Sequence, residues 1–202
     1  MKRGNLFLIC FLAFSVFISC SKSEESDVIS TVNVPEYKPL FWNDGKGEAT
    51  IQSRHNCYAY ACNVVFKDKS VFGATPGKAS GITLPEVFSA ADVVNAAKAD
   101  GLVKLEGTAE PQVGWTKVAL FLELQDGNTD GTKAIDFHWY RRDKDGYWSN
   151  KGGESPARNT DTNGNKVSDP RRDNSNTKHT YFVCFMAVKS SSKQGEGKTR
   201  IK

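Results

Sequence analysis

From residue 57 to 66 the chain reads Cys-Tyr-Ala-Tyr-Ala-Cys-Asn-Val-Val-Phe, a helical pattern that is apolar nearly all round. A helix without a solvent face must be covered on every side, so this segment is expected at the centre of whatever domain forms. The downstream chain has the elements to cover it. Thr83-Leu84-Pro85-Glu86 has the form of a capping box and predicts a second helix, which would bury Val87, Ala91, Val94 and Ala97 and stop at Gly101. Residues 102–105 make a short candidate strand, and 117–124 a stronger one that throws Val118, Leu120, Leu122 and Leu124 onto one face. Residues 135–140 read as a strand, Asp143-Lys144-Asp145-Gly146 as a hairpin turn, and 180–188 as a last strand. Helices first and an antiparallel meander afterwards predict one α+β domain over residues 40–190, long enough for a real core.

The N-terminus carries Lys2 and Arg3, an apolar run from residue 6 to 17, and then Ile18-Ser19-Cys20 before polar residues. That is the pattern of a signal peptide over residues 1–19, too short for a membrane span. The context of Cys20 resembles a bacterial lipobox, which implies cleavage before Cys20 and a lipid on its thiol. Ser21-Lys22-Ser23-Glu24-Glu25 resembles the export tag of Bacteroidetes surface lipoproteins. Residues 20–39 are then expected to be a polar tether, and 191–202 a disordered tail. The net charge of +4 falls to +2 once Lys2 and Arg3 are removed, and the basic residues are scattered among acids. No nucleic-acid partner is expected.

Of five cysteines, Cys10 and Cys20 belong to the leader, which leaves Cys57, Cys62 and Cys184. An odd number in an exported chain predicts a free thiol. Cys62 and Cys184 are either buried small hydrophobes or a disulfide pair; in both cases Cys57 is left over. It sits where a loop enters a helix, a position that lowers a thiol pKa and favours the nucleophilic thiolate. Three histidines are available as a general base. His55 is too near Cys57 in sequence to converge on one centre with it, and His179 follows an Asn-rich charged loop and is expected in solvent. His138 shares a strand face with Asp136 and Tyr140. With 143–145 as the hairpin loop, Arg142 opposes Gly146 and His138 opposes Asn150, close enough for the amide oxygen to accept the ring N–H. Thiolate attack by Cys57, proton transfer by His138 and orientation by Asn150 make a cysteine-hydrolase constellation. Gln52 and Asn56 are candidate oxyanion donors, and Tyr58, Asp136 and Tyr140 are candidate cleft-lining residues. Asp136 and Asp161 are fallbacks for the third residue. Asp161-Thr162-Asn163-Gly164-Asn165 with Asp169 lacks the glutamate of a calcium loop and is read as a surface loop. No metal or other cofactor is expected.

The order Cys57, His138, Asn150 resembles NlpC-like cell-wall cysteine peptidases and CHAP amidases, compact members of the papain-like superfamily. The fragments Asn56-Cys57-Tyr58-Ala59-Tyr60-Ala61, Asp136-Phe137-His138-Trp139-Tyr140-Arg141 and Trp148-Ser149-Asn150-Lys151 also resemble a set of bacterial and phage proteins with a histidine at the last site. The resemblance implies a papain-like fold, with a cysteine-bearing helix packed on an antiparallel sheet. It departs from the better-known branches in having Asn-Cys-Tyr at the nucleophile and Phe137 before the histidine. The implied activity is amide cleavage by a monomeric outer-membrane lipoprotein of the cell envelope, acting on peptidoglycan or another peptide. Its rivals are a non-catalytic surface lipoprotein that uses the scaffold for binding, and a secreted effector peptidase with a host-protein target.

Overall fold

A computed structural model describes residues 34–45, 50–66 and 68–189. The leader, Cys20, most of the tether and the tail lie outside the described residues. Four helices, α1 (Pro39–Trp42), α2 (Ile51–Arg54), α3 (Cys57–Ala61) and α4 (Ala90–Ala99), precede the strands β1 (Val103–Lys104), β2 (Thr116–Leu124), β3 (Ala134–Arg142), β4 (Trp148–Lys151), β5 (Ala157–Arg158) and β6 (Tyr181–Val188). The strands form one antiparallel sheet in the order β1-β6-β2-β3-β4-β5. This is the expected α+β architecture, short helices packed on a six-stranded sheet.

All five residues of α3 are buried, as a helix without a polar face requires. It is shorter than the apolar run predicts. Asn63 takes a left-handed conformation with φ of 54°, and the Val64 N–H turns back to the Ala59 carbonyl, so the chain leaves the helix after one turn. Tyr58 and Cys57 pack with Trp139, Leu120, Leu122, Cys184 and Met186 beneath α4, whereas Tyr60 faces Trp42, Val65 and Ala157 on the other side. Cys62 and Cys184 are both buried and form no disulfide.

The second helix begins six residues later than Thr83. Ser89 and Asp92 form the capping box: the Asp92 N–H donates to Ser89 Oγ at 3.2 Å and the Ser89 N–H to Asp92 Oδ2 at 2.8 Å. The earlier signature loses because Phe88 is held extended by two backbone bonds to Ala134, 3.0 and 2.7 Å, and its ring enters the core. Val93, Val94, Ala96 and Ala97 are consequently the buried residues, and Val87 and Ala91 are exposed. Gly101, at φ of 97°, ends the helix as expected.

Alternation along β2 and β3 sorts the sheet into two faces. Val118, Leu120, Leu122, Phe137 and Trp139 meet α3 and α4. Ala119, Phe121 and Tyr140 face the other way, with Trp148, Phe185 and Val167. The hairpin register differs from the expected one by two residues. Arg142 pairs with Trp148 and Tyr140 with Asn150, because Asp143 bonds Tyr147 and the turn closes at Gly146, whose φ is 84°. A shift of two preserves the face, so Asn150 still lies on the side of His138.

Candidate functional site

His138 and Asn150 are brought together. As diagonal neighbours across β3 and β4, they join through His138 Nε2 and Asn150 Oδ1 at 3.2 Å. The His138 ring stacks on His179, centroids 5.1 Å apart, and meets Tyr140 edge-on. His179, expected in solvent, is instead carried here by β6: its Nε2 lies 3.1 Å from Asp136 Oδ2. Burial, then the nearby His179, lower the His138 pKa to about 4, so the ring is neutral at pH 7. Tyr140 donates to Asp173 Oδ2 at 2.8 Å and is buried beneath the site rather than free to meet a ligand.

Cys57 is on the opposite face. It packs with Trp139, which alternation directs away from His138, and its thiol points at the Phe137 carbonyl, 3.7 Å away. Burial pushes its pKa up to about 12, the reverse of the lowering expected from a helix start. A helix of five residues presents little dipole, and loss of water outweighs it. A cation on this side is Lys151, whose ammonium is held by the carbonyls of Gln52 and Gly153 and whose pKa burial lowers to about 8. Gln52 itself donates through Nε2 to the Glu154 carbonyl at 3.0 Å. Asn56 is the helix cap: its Oδ1 accepts from Ala59 and Ala74, and its Nδ2 donates to the Ala74 carbonyl at 2.8 Å. Tyr58 donates to Asp100 at 3.0 Å deep in the core.

The groove that His138 and Asn150 open into has a volume of about 460 Å³, and its walls include Arg158, Ser175, Asn176, Lys178 and His179. At one end Glu123, Asp136 and His179 place donor atoms within 4.8 Å of one another, a spacing that suits a cation. Their oxygens already have partners within the fold: Lys178 lies 3.6 Å from Glu123, and a His179 ring nitrogen lies 3.1 Å from Asp136. Asp161 accepts from the N–H groups of Asn163 and Asn165, a self-closed surface turn. Arg158 and His179 escaped the sequence reading. The signal for Arg158 was the tight β4–β5 hairpin at 152–156; that for His179 was its place just ahead of the last strand.

Insoluble matrix shell protein 1 of Ruditapes philippinarum is 38% identical to this chain over 135 residues, which cover 67% of the chain and 78% of that protein. The chain belongs to the same family as that protein. No protein-family model matches it, and no solved structure does.

Proposed function

We propose that this protein is an exported, non-catalytic binding protein that holds a polar ligand in the groove at His138, Asn150 and His179. The observation that carries this is the separation of the two groups a cysteine hydrolase needs. Cys57 is sealed among apolar side chains on one face of the sheet, and the histidine pair with its polar surroundings lies on the other. The relative's name, a matrix protein of shell, is in keeping with a binding or structural role outside the cell. At pH 7 a thiol with a pKa near 12 is roughly one part in 10⁵ thiolate, against a few per cent for an ordinary cysteine. Iodoacetamide is therefore expected to leave Cys57 unmodified in the native protein and to label it readily after unfolding. Rapid native labelling at Cys57 ahead of Cys62 and Cys184 would sink this function.

The membrane-tethered cysteine hydrolase, with its papain-like arrangement of Cys57, His138 and Asn150, is the second reading. It is favoured by the His138–Asn150 hydrogen bond and by the Asn56 cap that sets Cys57 at the first turn of α3. It requires an arrangement in which Cys57 reaches His138. Turnover of peptidoglycan stem peptides, lost in both Cys57→Ala and His138→Ala, would establish it. In either reading the chain is proposed to be held at the cell envelope by a lipid on Cys20. Labelled palmitate is expected to enter the wild type and not Cys20→Ala; incorporation that persists in the variant removes the anchor.

A further inference from the structure

We infer that Arg158, Asn150 and His138 form a carboxylate-binding subsite within this groove, an inference that rests on the binding reading above. Arg158 on β5 is the direct cross-strand partner of Asn150 on β4, so the two side chains leave the sheet on the same face about 5 Å apart. Among the described residues the Arg158 side chain makes no hydrogen bond and no ion pair; it is half-buried and lines the groove. Asn150 is 1% exposed; its Oδ1 is taken by His138, and its Nδ2 has no partner among the described residues. A buried amide N–H without an acceptor is costly, and the Arg158 guanidinium is open to solvent, so an unpaired amide donor and a free charged donor stand side by side at the groove.

The carboxylates near the groove do not fill that need. Asp136 faces His179, Glu123 faces Lys178, and Asp173 accepts from Tyr140 and from the backbone and hydroxyl of Ser175. Arg158 is a fixed positive charge that acts on His138, and the opposing negative charge, Asp136, is engaged with His179. A planar guanidinium fork is matched by a carboxylate, which it binds through two parallel N–H bonds, and the Asn150 amide adds a third donor from the side. On the facing wall the Ser175 hydroxyl is taken by Asp173 and the Asn176 amide by His179, so recognition rests on the carboxylate rather than on hydroxyl groups of the ligand.

The test is an NMR titration of the full ¹⁵N-labelled chain at pH 7 and constant ionic strength, with sodium glucuronate, glucose and sodium sulfate as probes. Glucuronate is expected to shift the Asn150 side-chain amide and the Arg158 Nε–H saturably, with no response to glucose and a much weaker one to sulfate. Arg158→Gln, which breaks no hydrogen bond or ion pair of the described fold, is expected to keep the β3 resonances in place and to weaken glucuronate at least about tenfold. Equal responses to glucuronate and glucose, equal responses to glucuronate and sulfate, or undiminished binding in Arg158→Gln would each overturn the subsite. The two proposals fail separately. Native Cys57 labelling decides whether the protein is a hydrolase without touching the titration, and an unresponsive Asn150 in a protein whose Cys57 stays unreactive removes the subsite alone.

Discussion

Between pH 6.5 and pH 4 the protein is expected to lose about 3 kcal/mol of stability for each of two histidines, His55 and His138, because both are lowered from 6.5 to about 4 in the fold. Burial is the largest cause for each, and the hydrogen bonds give the reason in atoms. His55 Nε2 accepts from the Phe66 N–H at 2.9 Å, so its one proton is on Nδ1, which donates to the Ile51 carbonyl at 2.7 Å. A second proton would set two donors against each other in a fully buried site. His138 is pressed between His179 and Tyr140, with Arg158 nearby. As pH falls below 6.5 the unfolded chain takes up both protons while the fold refuses them, so stability drops by roughly 2.4 kcal/mol per pH unit near pH 5. Asp143 opposes this at the acid end: burial raises its pKa, so the fold gains stability as pH falls through that raised value toward 3.8. The carboxylates whose pKa is lowered in the fold, Asp136 and Glu110 among them, add their own loss at the acid end, as pH falls toward their unfolded values of 3.8 and 4.5, so the slope between pH 6 and 5 belongs to the two rings. Urea unfolding at pH 7, 6, 5 and 4.5 measures the slope, and His138→Gln should reduce it by about half. Stability that stays level from pH 6.5 to 4.5 would refute the assignment for both rings.

How far such features can be read from the sequence depends on whether they are set by neighbours along the chain. The two-residue alternation of β2 and β3 is local, and it placed Val118, Leu120 and Leu122 inside correctly. The His138–Asn150 pair was legible for the same reason: parity puts both residues on one face, so the contact survived a hairpin register that was off by two. The central burial of α3 followed from its lack of a polar face, but its length did not, because Asn63 ends it through a backbone conformation that apolarity does not report. The face of the sheet that Cys57 meets was not legible. It is decided by Tyr58 packing on Trp139, centroids 5.2 Å apart, a contact between segments about eighty residues apart. His179 was missed on the same ground, since it reaches Asp136 only after β6 has paired with β2 and β2 with β3.

Arg141→Met is expected to lower the unfolding free energy by about 3–5 kcal/mol, the cost of leaving a buried charge without its partner. Arg141 is fully buried and pairs with Asp143 at 2.8 Å, and Asp143 is 3% exposed with Oδ2 lacking any partner among the described residues. The guanidinium also donates to the carbonyls of Tyr60 and Glu36, to the Asn63 amide oxygen and to the Tyr60 hydroxyl, and lies 4.2 Å from the Tyr60 ring centroid. Methionine keeps the apolar stem and removes every donor. The Tyr60 hydroxyl, 2.6 Å from Ser149 Oγ, then loses its charged donor, so the bond between α3 and β4 weakens together with the ion pair. Asp143→Asn in the Arg141→Met background removes the stranded charge and should recover roughly 2 kcal/mol, giving a strongly non-additive double-mutant cycle in urea. A single-variant loss below about 1 kcal/mol would mean that water or a rearranged side chain satisfies Asp143. Because Arg141 is also bonded to the Glu36 carbonyl, and Lys144 to that of Pro35, amide exchange in residues 34–38 should quicken in Arg141→Met before the sheet itself opens. The stretch that leads from the proposed membrane anchor is tied to the domain by the same arginine that joins the helix layer to the sheet.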